Sequence, residues 1–178
     1  MCSHFYEMIC MYLLLLSTDN QEVYQDCTEE SGAVLVIEIL EHQNDVKNED
    51  AATFFFDDLA DANGVSQEYH DTSIQSSMMI SMGDDNDAKR QKYFPSFNAH
   101  TQQLAGAVAC MSIGKQQVVD KCLRIEMCVL RLKNVTTDLL ITLSTPENKP
   151  ISIEKDGFTN VFHEVLSTFS IKDWTLFC

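Results

Sequence analysis

Residues 123–132 read LRIEMCVLRL, and residues 139–145 read LLITLST. In the first run Leu123, Ile125 and Met127 alternate with Arg124 and Glu126. In the second, Leu139, Ile141 and Leu143 recur at every other position. A period of two belongs to a β-strand, where successive side chains point to opposite faces. The polar link KNVTTD, residues 133–138, is short enough to turn one strand back beside the other. An antiparallel hairpin therefore anchors the fold.

Working outward, residues 105–113 and 116–120 read as two strands around Gly114. Upstream, residues 33–41 read AVLVIEILE, a short β-branched run preceded by Gly32. That composition predicts a mostly buried strand, although Glu38, Glu41 and His42 also have helical spacing. Residues 21–24 form a further short strand, followed by a polar turn at residues 27–32. Residues 48–63 predict a helix, with Asn48 as its cap. Ala52, Phe55, Phe56 and Leu59 make its apolar stripe, and Asn63-Gly64 its stop. A second helix is marked by Phe158, Val161, Phe162, Val165, Leu166 and Phe169. Pro146 and Pro150 end the strand region before it. Residues 65–104 carry no clear period; Gly83 to Asp87 reads as a solvated loop, and Lys89 to Lys92 as an exposed basic connection. Strands with helices before and after them predict an α+β fold, an antiparallel β-sheet covered by helices.

The formal net charge is −15 and is unevenly placed. Residues 1–90 hold 19 Asp and Glu against 3 Lys and Arg, and residues 91–178 hold 8 against 9. A negative half repels phosphates and anionic lipid, so a nucleic-acid partner is not expected and a basic protein partner gains ground, although charge by itself reads first as a means of staying soluble. The seven cysteines are odd in number and lack Cys-x-x-Cys spacing, which points to free thiols; Cys110, Cys122 and Cys128 lie in apolar runs as small core residues. Residues 9–16 are apolar, but no Lys or Arg precedes them and no small-x-small cleavage site follows. They are also far short of the roughly 20 residues that span a bilayer, so no membrane insertion is expected. A signal peptide is the alternative to a buried N-terminal segment. The chain divides into an atypical segment, residues 1–16, and a single domain, residues 17–178.

The search for chemistry is mostly negative. Gly114-Lys115 lacks the P-loop's second glycine and its hydroxyl, since Ala109 and Gln116 stand at those positions. Asp84, Asp85, Asn86 and Asp87 lack the spacing of an EF-hand. The five histidines have no metal-ligand spacing, and His163 reads as structural or exposed. Asn134-Val-Thr136 spells a glycosylation acceptor, a motif common by chance. No catalytic residue, cofactor or metal is expected, and Glu38 and Glu41 read best as charge presented on a rigid element.

Several segments carry a resemblance. Asp19 to Tyr24, residues 34–41 and Phe56-Asp-Asp-Leu-Ala60 resemble the first half of the Ran guanine nucleotide release factor family, the Mog-type Ran-binding proteins. Gly114 to Val118, Val129 to Leu132, Thr137 to Leu143 and the ending from Phe162 to Phe177 resemble its second half. The likeness covers residues 18–64 and 106–178, and it rests on order and spacing rather than on one motif. It implies a PsbP-like antiparallel sheet between helices. It also implies a monomeric, non-enzymatic partner of the GTPase Ran that promotes nucleotide release and supports nucleocytoplasmic transport, in nucleus and cytoplasm. A family link to sodium-channel trafficking makes an ion-channel cytoplasmic segment the alternative partner. The family's acidic pair for Ran falls on Glu38 and Glu41, and Asp57, Asp58 and Asp61 are expected to support it. The family's usual Leu-Phe-Gly-Gly-Ala-like opening is missing from residues 1–16.

One geometric requirement follows. Positions 38 and 41 of a regular strand face opposite ways. For both carboxylates to share a surface, the strand must end or bulge near Leu40.

Overall fold

The computed structural model describes residues 11–14, 20–26, 32–65, 73–97, 101–148 and 152–177. Seven strands form one antiparallel sheet: β1 (Met11–Leu14), β2 (Gln21–Asp26), β3 (Val34–Glu41), β4 (Ser73–Ser81), β5 (Val108–Val118), β6 (Lys121–Leu132) and β7 (Thr137–Pro146). Their order is β1-β2-β3-β7-β6-β5-β4. The helices are α1 (Asn48–Ala62), α2 (Ala88–Tyr93) and α3 (Asn160–Thr168). Strand β1 comes from within the N-terminal segment and pairs with β2, from Met11 opposite Asp26 to Leu14 opposite Val23.

The hairpin is β6–β7, in register from Leu123 opposite Pro146 to Leu132 opposite Thr137. Its turn is a 3-10 segment, Lys133–Val135, and Thr136 in the left-handed region. Asn134 donates its amide to the carbonyls of Gln102 and Ala105 there, so the acceptor-like motif serves the fold.

Strand β6 is buried on both faces. On one, Met127 and Val129 join Cys110, Leu140 and α1's Ala51, Ala52 and Phe55. On the other, Cys128 and Leu130 join Met111, Ile141 and α3's Phe162 and Leu166. The sheet thus has helices on both faces, as the family resemblance implies. The alternation in residues 123–132 is not between core and solvent, because Arg124, Glu126 and Arg131 are all buried.

Each buried charge has a structural task. Glu126 accepts from the Thr159 amide (2.7 Å) and hydroxyl (2.5 Å), and Thr159 in turn caps α3 by accepting from the Phe162 amide. Arg124 neutralises Glu126 at 3.1 Å and donates to the Gly157 carbonyl. On the α1 side, Arg131 donates from Nε to Asp138 Oδ1 (3.3 Å), and from its two terminal nitrogens to the carbonyls of Val46 and Gln43 (both 2.6 Å). Asp138 also takes the Gln43 amide (2.9 Å) and bonds His42 Nδ1 (2.8 Å). This network holds the 42–47 connection and so sets where α1 begins.

Four expectations need correction. Strand β5 runs unbroken through Gly114, which pairs with Ile125 on one side and Ile74 on the other; two neighbouring strands override the weak propensity of glycine. The irregular stretch contains edge strand β4 and helix α2. Asp87 caps α2 by accepting from the amides of Lys89 (2.8 Å) and Arg90 (3.1 Å). The basic cluster is therefore not simply an exposed connection: Arg90 is 5% exposed and donates to the Phe97 carbonyl. Helix α1 is preceded by Lys47 at its cap position with no side-chain cap, and Asn48 lies inside the helix. The polar turn at residues 27–32 falls mostly outside the described residues, as does Pro150. Cys110 and Cys128 are buried free thiols, and Cys122 is half-buried. Burial pushes the Cys110 thiol up to about 11 and Cys128 well above its ordinary value, which suits inert core residues.

His163 is structural. Its ring stacks on Tyr93 with centroids 4.7 Å apart, and its Nε2 meets Asp156 at 3.2 Å. Tyr93 and Lys92 of α2 also bond Asp156. Burial opposes ionisation of Asp156, but donors from Lys92, Tyr93, His163 and the Phe158 amide outweigh it and hold its carboxyl below the usual range. A depressed folded value stabilises above the ordinary value of 3.8 and is lost as pH falls below it. Asp156→Asn should therefore lower the unfolding midpoint at pH 7 and flatten its dependence on pH below about 4. Arg131→Met should cost about 3–5 kcal/mol in denaturant unfolding, because it leaves Asp138 buried without its cation.

Candidate functional site

Glu38 sits in β3 opposite Gln21 of β2 and Leu140 of β7. Leu140 belongs to the α1 side of the sheet, so Glu38 faces that side as well. The side chain is half-buried, and Gln21 Nε2 donates to its Oε1 at 3.0 Å. Burial raises its pKa, and the negative charge of Asp58 on α1 raises it further. The carboxylate thus lies at the junction of β2, β3 and α1, in surroundings that oppose its ionisation.

Asp57, Asp58 and Asp61 are exposed on the outer surface of α1. Helical spacing places Asp61 one turn beyond Asp57 and Asp58. The helix has Glu49 and Asp50 in its first turn and no basic residue in its last. Among the described residues no Lys or Arg forms an ion pair with Glu38 or with these three aspartates.

Glu41 stands apart. Strand β3 pairs without a bulge through Leu40 opposite Asp138 and Glu41 opposite Thr137. The break expected near Leu40 is therefore absent; β7 continues to Asp138 and Thr137 and keeps β3 extended. Glu41 is exposed at the strand's last position and, by the period of two, points to the face opposite Glu38. Glu38, Asp57, Asp58 and Asp61 share the α1 side of the molecule, and Glu41 reaches them only around the rim formed by the 42–47 connection.

The arrangement can present negative charge to a cationic surface. Among the described residues no group of three or more His, Cys, Asp or Glu is placed to hold a metal ion. No helix of the described residues is long and apolar enough to cross a membrane. Two contributors escaped the sequence reading. Gln21 becomes visible only through strand register. Phe54, exposed beside Asp58, had a signal: a helix cannot bury all of Phe54, Phe55 and Phe56 on one face.

Comparison with solved structures finds similar chains. The Saccharomyces cerevisiae Ran-binding protein Mog1p is 16% identical, with a TM-score of 0.49, over 76% of this chain and 67% of that one. A glutamate-to-alanine mutant of protein Mog1 is 15% identical, with a TM-score of 0.50, over 78% and 69%. No curated protein matches the chain in sequence. The sequence profile of the family described as Ran-interacting Mog1 protein matches residues 18–146, well over half of the chain. The chain belongs to the Ran-interacting Mog1 protein family.

Proposed function

We propose that this protein binds the small GTPase Ran through the shoulder formed by α1 and β3, and that binding promotes release of Ran's guanine nucleotide. Glu38, Asp57, Asp58 and Asp61 supply the contact from the α1 side, and Glu41 adds to it around the rim. The protein then acts as a monomeric binding factor with no catalytic group of its own. It serves nucleocytoplasmic transport and works in both nucleus and cytoplasm. Membership of a Ran-interacting family supports the partner.

The observation that carries the site is the state of Glu38. A half-buried carboxylate beside Asp58, with no ion-pair partner among the described residues, costs the folded protein stability. Such a residue is kept where a ligand uses it. A basic patch on Ran supplies the missing cation and relieves the repulsion. An acidic surface pressed beside the nucleotide site also competes for the charges that hold phosphate and magnesium. Coupling of this kind is reciprocal, so bound nucleotide must weaken this protein's grip on Ran by the same factor.

Replacing both Glu38 and Glu41 with Lys should weaken Ran binding by about a hundredfold or more. The measurement is titration of purified Ran against parent and variant; undiminished affinity in the double variant removes the site. Release is read with Ran loaded with a fluorescent nucleotide. An unchanged rate of nucleotide loss in the presence of bound protein refutes the release step and leaves only binding.

Glu38→Gln separates charge from shape. A raised carboxyl value means the ionised form is disfavoured in the fold, so the cost is absent below the ordinary value of 4.5 and grows as pH rises through the folded value. The variant should therefore unfold at a higher temperature than the parent at pH 7, with the difference vanishing near pH 4. It should also bind Ran about tenfold more weakly.

A further inference from the structure

Phe54 is a large apolar side chain left 40% exposed in the middle of α1's outer surface. The helix repeat places Asp50 one turn before it and Asp57 and Asp58 one turn after it, each with Cβ about 5–6 Å from that of Phe54. All three aspartates are exposed. The Phe54 ring is not free to turn at random. Buried Phe55 meets it edge-to-face, with centroids 5.0 Å apart and planes at 86°.

Part of the Phe54 ring packs on Phe55, but 40% of the side chain faces solvent among three carboxylates that repel one another. Helix α1 has no Lys or Arg of its own to neutralise them. The surroundings suit a cation, and the ring narrows which one. A divalent metal needs converging oxygens at short range, and no such cluster exists among the described residues. An ammonium is a compact, strongly hydrated point charge. A guanidinium is flat, lies on an aromatic face, and carries N–H groups around its edge that match carboxylates.

We infer that Phe54, Asp57 and Asp58 form a recognition subsite for an arginine side chain of a protein partner. The guanidinium lies on the Phe54 ring and its N–H groups reach the two carboxylates. Glu38, beside Asp58, deepens the negative potential under the subsite. The partner's identity rests on the Ran reading above; the chemistry of the subsite does not.

The test uses the whole chain and two probes of equal charge, hexa-arginine and hexa-lysine peptides, titrated while the Phe54 ring resonances are followed by NMR. The arginine peptide should bind about fivefold or more tightly than the lysine peptide and shift the Phe54 ring. Phe54→Leu should erase that preference, while Phe54→Tyr keeps it; both should stay folded, because each keeps an apolar group against Phe55. Equal binding of the two peptides, or a preference that survives in Phe54→Leu, overturns the subsite. Titration of Ran against Phe54→Leu separates this inference from the functional reading. A loss of about fivefold supports both. Unchanged Ran affinity removes the subsite and leaves the Ran reading standing. Failure of the parent to bind Ran, with the arginine preference intact, removes the Ran reading and leaves the subsite.

Discussion

The pairing of Arg131 with Asp138 is the constraint on which the functional side of the molecule depends. Both are nearly inaccessible, at 2% and 0% exposure, so neither charge tolerates the loss of the other. The pair bridges neighbouring strands β6 and β7, where Arg131 and Asp138 stand directly opposite each other. A register slip of one residue would turn Arg131 into the apolar layer beneath α3. The pair therefore specifies register more than it adds net stability. Its remaining bonds reach out of the sheet to Gln43, Val46 and His42. Through them the hairpin fixes the connection from β3 to α1, and with it the position of Asp58 over Glu38. Glu126 does the same for α3 on the opposite face, through Thr159.

This division explains why the chain keeps charges in its most buried strand. An all-apolar β6 would pack between the helices, but nothing in such packing would fix where each helix starts. Arg131, Arg124 and Glu126 convert strand register into helix position on each side. Helix α1 needs the help more than α3 does, because it lacks a side-chain cap whereas α3 has Thr159. By binding the carbonyls of Gln43 and Val46, Arg131 fixes the course of the chain that enters α1.

The sheet was legible where periodicity is a local property. Leu139, Ile141 and Leu143, and the stripe from Phe158 to Phe169, placed β7 and α3 without knowledge of their neighbours. Legibility failed where a tertiary partner decides. Gly114 looked like a break because its two pairing strands are distant in sequence. The edge strand β4 offers only Ile74, Met78, Met79 and Ile80 among serines and Gln75, and an edge strand has half the pairing demand of a central one. Arg90 looked like part of a solvated basic run because its acceptor, the Phe97 carbonyl, is invisible in composition. The candidate site shows the same limit. Glu38 and Glu41 could be named from their place in a familiar run, and their mutual orientation followed from the strand period. Whether the strand ended before Glu41 depended on β7, which continues far enough to hold it.

That last point bears on how any partner must approach. Glu38 lies in the trough beside α1, with Gln21 along one flank and Asp58 above. Glu41 lies at the end of the same strand on the other face. A flat surface laid against α1 meets Glu38, Asp57, Asp58 and Asp61 but not Glu41. Engaging both glutamates requires a partner that passes over the 42–47 rim, which Arg131 and Asp138 hold rigid from inside. A rigid rim with charge on both sides favours a concave or two-lobed basic surface over a flat one.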